Sequence, residues 1–258
     1  MIFKDQLNRE IQINKTPKRI ISLVPSQTEL LVDLGLEASL VGVTKFCVHP
    51  KHLRISKAVV GGTKQINIEK IKALKPDIIL CNKEENTKDI IEELEAFAPI
   101  HISDIYNLKD CFELISMYGN IFNVKTRASD IIKSIQQERE AYQSKNIKKI
   151  KVAYFIWKNP WMVAASDTFI NIMINEACFS NVFADETRYP EIDLNNSKLK
   201  EADLIFLSSE PFPFKENHIA ELQTQFLNKK IKIVDGEMFS WYGSRLLKSY
   251  EYFNILHP

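Results

Sequence analysis

Short, mostly apolar runs recur along the chain, and helical patterns separate them. The runs Ile20–Val24, Ile78–Leu80 and Leu204–Leu207 have the length and composition of buried strands. In 68–74 and 246–256, apolar residues return every three to four positions, which is typical of amphipathic helices. Buried strands that alternate with helices predict an α/β fold with mainly parallel sheets flanked by helices.

Three of the strand patterns occur twice in the same order. The runs at 18–25, 75–84 and 99–104 resemble those at 149–156, 201–210 and 231–235. The offsets are all close to about 130 residues, which is the signature of an internal repeat. A single match would carry little weight because many strands look alike. Three matches in order predict two similar lobes.

One long helix is expected between the two lobes. Apolar residues follow helical spacing at Ala128, Ile131, Ile132, Ile135 and Tyr142, with charged residues on the other face. A flexible linker would carry Gly, Ser or Pro, but 121–149 contains no Gly or Pro. We therefore predict an N-terminal lobe over 1–120, a connecting backbone helix over 121–147 and a C-terminal lobe over 148–258. A ligand cleft is expected between the lobes, with only small motion of one lobe against the other.

Composition excludes several classes of function. The net charge of the 258 residues is +1, so no global field attracts nucleic acid. The four cysteines form no CxxC pair, and no metal site is predicted. The chain contains no GxxxxGK[ST], GxGxxG, GxSxG or HExxH motif, which disfavours nucleotide binding and the corresponding hydrolase mechanisms.

No apolar run approaches the ~18 residues of a membrane span, so no transmembrane segment is predicted. The segment Met1–Gln6 turns polar at once and has no signal-peptide pattern. Taken as the full native product, the sequence would predict a cytoplasmic protein.

Candidate chemistry gathers directly after the predicted strands, where open α/β sheets bind ligands. The loop 235–245 is the most informative, because it combines aromatic residues, two glycines, two carboxylates and an arginine. The candidate ligand-binding residues are Ser26, Gln27, Lys45, Phe46, His49, Lys83, Glu84, Trp157, Trp161, Met162, Glu210, Phe212, Phe239, Trp241, Tyr242 and Arg245.

Each candidate also has a purely structural interpretation. Ser26 to Glu29 reads as a capping box, which makes Ser26 an N-cap rather than a nucleophile. The three tryptophans either contact a ligand or pack inside the protein. The side chains of Lys45, Lys83 and Arg245 either bind an anionic group or are simply solvated.

A catalytic or metal-binding interpretation starts from one histidine. His49 with Glu84, Glu85 or Glu237 would make a metal site or an acid–base pair, but the spacing is not diagnostic and a polar rim is favoured. We predict no catalytic residue, no catalytic cofactor and no enzymatic activity.

Four motifs resemble one protein family. The segments Arg19–Leu30, Val41–Val43, Val60–Thr63 and Ile68–Asp77 are similar to the helical-backbone substrate-binding proteins of ABC importers. That family takes up cobalamin, haem and ferric siderophores, and the resemblance covers roughly residues 15 to 255. It implies a non-catalytic, periplasmic receptor that binds a small-molecule metal chelate, with an ABC permease as partner. We expect a monomer that binds no nucleic acid.

The resemblance is closest to the cobalamin-binding branch. Phe169–Phe183 and the aromatic loop 235–245 carry this likeness, which implies a corrinoid held mainly by aromatic side chains. A haem ligand held by a tyrosine, or a ferric siderophore held by Arg245 and Tyr242, stays open. An intracellular ligand-binding relative without a permease stays open too. An enzyme using His49 and the cleft carboxylates is the distant alternative.

In this family a surface glutamate on each lobe docks on the permease. Glu69 matches the position in the first lobe. The matching segment of the second lobe, Asn195–Lys198, has no carboxylate, so Glu191, Asp193 or Glu201 would have to substitute.

Overall fold

A five-stranded parallel sheet organises the first half of the chain in the computed structural model, which describes residues 1–145 and 147–257. The strand order is β5-β4-β3-β6-β7. The strands are β3 (Ile20–Ser22), β4 (Leu40–Val43), β5 (Ala58–Val59), β6 (Ile78–Asn82) and β7 (Ile100–Ser103). A separate antiparallel pair consists of β1 (Ile2–Lys4) and β2 (Glu10–Gln12).

Helices follow the strands of this sheet, as the alternating pattern predicts. They are α1 (Pro25–Asp33), α2 (Leu53–Ser56), α3 (Ile68–Ala73), α4 (Lys88–Glu95), α5 (Leu108–Ile121) and α6 (Lys125–Gln143). The apolar faces of α3 and α4 bury Ile71, Ile91 and Leu94 in one core cluster with Ile21 and Ile79 of the sheet. Burial of each such side chain stabilises the fold by about 1.5–3 kcal/mol.

The start of α1 differs from the capping box expected at Ser26. The helix begins at Pro25, Val24 occupies the N-cap position, and no side chain caps this end. Proline suits the first helical turn because its φ is already helical and it has no N–H to satisfy. Ser26 therefore lies inside the helix, where it is buried.

A second parallel sheet organises the other half of the chain, with the order β10-β8-β11-β12. Its strands are β8 (Ile150–Trp157), β10 (Phe179–Asn181), β11 (Leu204–Ser208) and β12 (Lys230–Val234), with β9 (Met162–Val163) antiparallel to β8. The helices are α7 (Phe169–Glu176), α8 (Ser197–Glu201), α9 (Glu216–Gln223), α10 (Glu237–Ser240) and α11 (Leu246–Leu256).

The internal repeat is confirmed by the order of the strands. The repeated patterns form β3, β6 and β7 in the first sheet and β8, β11 and β12 in the second, and each set lies side by side in the same order. The α/β class and the parallel sheets flanked by helices are confirmed as well.

The chain divides into two units. Unit 1 contains Met1–Ile135 and Tyr242–Leu246, and unit 2 contains Gln136–Trp241 and the segment that starts at Leu247. The helix α6 thus begins in unit 1 and ends in unit 2, inside the predicted connecting segment 121–147. The predicted lobe boundaries and the predicted cleft stay predictions.

Close packing fixes each end of α6 within its own unit. In unit 1, a Cβ atom at Gly119 would lie 2.7 Å from the Cβ of Ala128, so only glycine lets α5 approach α6 this closely. In unit 2, Arg139 donates two hydrogen bonds to the carboxylate of Glu176, at 2.7 and 2.9 Å. Among the described residues, no helix has both the length and the apolar character needed to span a membrane.

His101 is a buried titratable group in the core of unit 1. It lies on β7 with its ring edge-on to Tyr118, at a centroid distance of 5.2 Å. Burial lowers the pKa of His101 from 6.5 to about 4, with opposing contributions from Asp5 and Arg9. The folded chain therefore keeps this ring neutral at pH values where the unfolded chain protonates it.

We predict that His101→Phe flattens the dependence of stability on pH. Between pH 6.5 and 4 the unfolded state binds the extra proton, so the free energy of unfolding falls as the pH is lowered. Across this pH range, His101 lowers the free energy of unfolding by about 3 kcal/mol in total. Urea unfolding of both proteins at pH 7 and pH 4.5 measures it. An equal loss of stability on acidification in both proteins would contradict the assignment.

Candidate functional site

Unit 1 presents cations and an open aromatic ring at the carboxyl edge of its sheet. Phe46 follows β4 and is 48% exposed, and the Lys45 ammonium lies 5.0 Å from the centre of its ring. Lys83 follows β6 and is exposed, with its Nζ 2.7 Å from Asp104 Oδ2 and 3.3 Å from the hydroxyl of Tyr106. Both lysines therefore stand at the edge where the parallel strands end.

His49 and Glu84 are the other predicted site residues at this edge. His49 is half-buried and Glu84 is exposed. Among the described residues, no group of three or more His, Cys, Asp or Glu side chains is arranged to hold a metal ion. The polar rim, the metal site and the acid–base pair weighed for His49 stay predictions.

Unit 2 presents an aromatic surface at the carboxyl end of β8. Trp157 is the last residue of that strand, is 39% exposed and packs edge-on against Phe212 at 5.7 Å. Phe212 is half-buried and also contacts Phe214, with ring centres 4.7 Å apart. The open face of Trp157 is therefore backed by a fixed aromatic cluster.

Trp161 anchors this cluster in the core of unit 2. Its ring stacks on Phe214 with centres 6.1 Å apart and planes 7° apart, and it meets Phe155 edge-on. The Lys158 ammonium lies 5.3 Å from the Trp161 ring. Met162 is half-buried in the neighbouring strand β9. Trp161 thus packs in the core of unit 2 and also lies near the carboxyl edge of its sheet. Its truncation would therefore disturb both the core packing and the surface at that edge.

Glu210 organises the loop that follows β12. Its Oε1 accepts hydrogen bonds from Ser240 Oγ at 2.6 Å and Trp241 Nε1 at 3.1 Å. Burial raises the pKa of Glu210, and these two hydrogen bonds partly oppose that rise. A Cβ atom at Gly236 would lie 2.6 Å from Glu210 Cγ, so a glycine is required where the two loops meet.

Two of the aromatic candidates in loop 235–245 are buried in unit 2. Phe239 has no exposed surface and packs on Tyr154 and Phe253, at 5.1 and 5.2 Å. Trp241 is buried with its indole N–H directed to Glu210. Their burial in unit 2 favours packing over the predicted ligand contact.

The remainder of this loop departs from its predicted place in the C-terminal lobe. Tyr242–Leu246 belongs to unit 1, where Gly243 adopts a φ of +87° beside Leu30. The Gly243 amide donates to the thiol of Cys111 at 3.1 Å. The loop is therefore divided, and its second half completes the packing around α1 and α5.

Gln27 is the centre of a buried hydrogen-bond network in unit 1. Its Nε2 donates to Tyr242 Oη at 2.9 Å and to Ser103 Oγ at 2.6 Å. Its Oε1 accepts from the hydroxyl of Tyr118 at 2.7 Å. Burial is the main cause that raises the pKa of Tyr242, so this phenol stays protonated. Gln27 and Tyr242, both predicted as ligand contacts, are instead used inside the unit.

Arg245 forms a buried ion pair with Glu29 of α1. Arg245 Nε lies 2.7 Å from Glu29 Oε2, and the two side chains are 3% and 4% exposed. An anionic ligand group would have to compete with this carboxylate for a guanidinium that solvent barely reaches. The structure therefore places Arg245 in a structural role rather than at the open edge.

Three residues at the carboxyl edge of unit 1 lie in predicted strand-end loops but are not among the predicted ligand contacts. Tyr106 follows β7 and contacts Lys83, while Asn82 and Asn86 bracket the loop after β6. Tyr106 could have been predicted as a contact, because it follows the carboxyl end of β7, where open α/β sheets bind ligands. The two asparagines hold this loop through each other and through backbone groups of Glu84, Glu85, Ser103 and Thr63, and the residue types alone do not signal that role.

Comparison with known proteins decides the family. The profile of the family described as "Periplasmic binding protein" matches residues 20–233, which is most of the chain. This protein is a member of that family. Periplasmic binding proteins of this type are substrate-binding components for transport rather than enzymes.

Relatives of this family member are named for ABC transport or for binding of vitamin B12. An uncharacterized ABC transporter substrate-binding lipoprotein of Bacillus subtilis is 29% identical over 198 residues, which cover 73% of this chain and 62% of the relative. The vitamin B12-binding protein of Pectobacterium carotovorum is 25% identical over 240 residues, covering 90% of this chain and 85% of the relative. The chain thus matches less than two thirds of the length of the Bacillus relative.

Solved structures of the family share the fold. The periplasmic haem-binding protein of Vibrio cholerae has a TM-score of 0.80 at 20% identity and covers 93% of this chain and 99% of its own. The periplasmic vitamin B12-binding protein of the same species has a TM-score of 0.76 at 23% identity, with coverage of 93% and 98%. The two-lobed α/β fold is therefore confirmed, while similarity at this level does not choose the ligand.

We predict that Arg245→Met strongly destabilises this family member. The substitution removes the guanidinium that pairs with the buried carboxylate of Glu29, which costs about 3–5 kcal/mol. The double variant Glu29→Gln/Arg245→Met should recover most of that loss, because the uncompensated charge is gone. Urea unfolding of the four proteins in this cycle measures the coupling. Additive effects of the two single changes would contradict the buried pair.

Proposed function

We propose that this protein is the substrate-binding component of an ABC importer and that its ligand is a corrinoid, cobalamin. The observation that carries the proposal is the half-exposed Trp157 backed by Phe212 at the carboxyl end of β8. The names of several relatives, including those from Pectobacterium and Vibrio, support the same ligand. The protein acts as a monomer.

The chemistry of a corrinoid suits this surface. A corrin ring is broad and partly apolar, and it gains binding free energy when it covers an exposed aromatic face. The ring of Trp157 packs against Phe212, which in turn packs on Phe214, so little side-chain entropy is lost on binding. A rigid aromatic anchor of this kind is where binding energy concentrates.

The edge of unit 1 supplies the polar contacts in this proposal. Lys45 and Lys83 offer ammonium donors to the amide and phosphate oxygens at the periphery of cobalamin, and Phe46 offers an open ring. Ser26, Gln27, Tyr242 and Arg245 are left out of the proposed contact set because they are buried in unit 1.

Delivery to a permease requires an exposed docking group. Glu69 lies on α3 with its side chain 83% exposed, and its only recorded partner among the described residues is Lys72. In unit 2, Glu191, Asp193 and Glu201 are all exposed, and Glu201 lies on α8 beside Lys151. We place the protein outside the cytoplasm, in line with the name of the Bacillus relative.

Truncation of the aromatic anchor tests the ligand. We expect Trp157→Ala and Phe212→Ala each to weaken cyanocobalamin binding about 10- to 100-fold, which corresponds to roughly 1.4–2.8 kcal/mol. Quenching of tryptophan fluorescence on titration, checked by calorimetry for the variant that lacks Trp157, measures the dissociation constants.

Leu227→Ala is the matched control, because Leu227 is 77% exposed in unit 2 and lies away from the end of β8. It should bind as tightly as the unmodified protein. Binding by the two aromatic variants that is as tight as binding by the control would contradict the proposal.

Haem is the second candidate ligand, and one observation favours it. Tyr106 is half-exposed at the carboxyl end of the unit 1 sheet, and its hydroxyl lies 3.3 Å from the Lys83 ammonium. A tyrosine oxygen is a good ligand for the ferric iron of haem. Haem-binding proteins are also among the solved structures with this fold.

Absorbance spectroscopy separates haem from cobalamin. If haem is the ligand, haemin added to the unmodified protein gives a shifted Soret band that Tyr106→Phe abolishes. Tyr189→Phe is the control, because Tyr189 lies in unit 2 and has its ring covered by Arg188 at 5.4 Å. Since we favour a corrinoid, we expect no specific shift in any of the three proteins. A Soret shift that only Tyr106→Phe removes would replace cobalamin with haem in our proposal.

A further inference from the structure

Three loops meet at the carboxyl edge of the unit 1 sheet, and hydrogen bonds join them in series. They are the β4 loop (44–49), the β5 loop (60–66) and the β6 loop (83–86). The first carries Lys45 and Phe46, and the third carries Lys83 and Glu84. The middle loop carries no residue of the proposed ligand contacts but lies against both of the others.

The β6 loop is closed by two asparagines. Asn82 Oδ1 accepts the backbone N–H of Glu84 at 2.8 Å and of Glu85 at 3.2 Å. The backbone N–H of Asn82 donates to Asn86 Oδ1 at 2.9 Å, and the backbone N–H of Asn86 donates to the carbonyl of Asn82 at 3.0 Å. Asn82 Nδ2 donates to Ser103 Oγ at 3.0 Å. The backbone that presents Lys83 is thereby held at both ends.

Asn86 also joins the β6 loop to the β5 loop. Its Nδ2 donates to the carbonyl of Thr63 at 2.8 Å. The β5 loop in turn accepts the backbone N–H of Lys45 at the carbonyl of Gly61, at 2.8 Å. A Cβ atom at Gly62 would lie 3.2 Å from the Phe46 ring, so this ring of the β4 loop packs close to the backbone of the β5 loop. One amide thus connects the two ligand-facing loops through the third.

We propose that Asn86 is a positioning residue that holds the β4, β5 and β6 loops in one arrangement ready for the ligand. The inference rests on the proposed function, because it takes Lys45, Phe46 and Lys83 as ligand contacts. Loops ordered before binding spare the complex the entropy that ordering would otherwise cost. Asn86 is buried, and both its amide oxygen and its amide nitrogen have protein partners, so its side chain is placed to act on the loops rather than on the ligand.

The substitution Asn86→Asp isolates the tie between the loops. An aspartate oxygen still accepts the N–H of Asn82, but no N–H remains for the carbonyl of Thr63. Asn120→Asp is the matched control, because Asn120 is an exposed residue of α5 whose Nδ2 donates to the carbonyl of Ser116 at 2.9 Å. Both substitutions add one charge to unit 1 and remove one amide donor. The pair Asn86→Ala and Asn120→Ala repeats the comparison without the charge, should the aspartate variant fail to fold.

Hydrogen exchange of the full chain without ligand is the first measurement. For Asn86→Asp we expect about tenfold faster exchange at the Lys45 amide and across 61–66, with exchange in α5 and in unit 2 unchanged. Asn120→Asp should leave the three loops as they are. Unchanged exchange in the β4 and β5 loops of Asn86→Asp would overturn the proposal, whatever the ligand is.

Cyanocobalamin affinity is the second measurement. We expect Asn86→Asp to weaken binding about tenfold relative to Asn120→Asp, because the loops must then order when the ligand arrives. Equal affinities despite faster loop exchange would overturn the positioning role. If the unmodified protein binds neither cyanocobalamin nor haemin, the proposed function fails, and with it the part of the inference that concerns the ligand. The exchange result still decides whether Asn86 joins the loops.

Discussion

Parallel pairing of the strands is the constraint on which the rest of this structure depends. In each unit, parallel strands carry their following loops to the same edge, so residues far apart in sequence become neighbours. Lys45 after β4 and Lys83 after β6 share the edge of unit 1, and Trp157 and Phe212 share the edge of unit 2. The proposed binding chemistry is a direct consequence of that geometry.

Burial separates the residues of these loops into two groups with different roles. Gln27 and Tyr242 are enclosed in unit 1 and hydrogen-bond to each other, and Glu29 and Arg245 form a buried ion pair there. Such a network is costly to leave incomplete, so it specifies how the segment Tyr242–Leu246 packs on α1. Residues with open faces, such as Trp157 and Phe46, are the ones to which we assign the proposed ligand contacts.

The fold was predictable because local patterns and the internal repeat agree. The strands at 78–82 and 204–208 are fully buried apolar runs, and their equivalent places in the two sheets follow from the repeat. The expected capping box at Ser26 was wrong because Pro25 already starts the helix. The loop 235–245 read as one binding loop because its composition gives no sign that Tyr242 and Arg245 have buried partners more than 200 positions earlier in the chain.

Binding of a corrinoid by these open aromatic and cationic edges is the central proposal. Calorimetric titration of the full chain with cyanocobalamin at several temperatures tests it most directly. We expect one ligand per chain and a negative heat-capacity change, because apolar surface around Trp157 leaves water on binding. The absence of measurable heat at every temperature, together with no displacement of a bound spectroscopic probe, would contradict it.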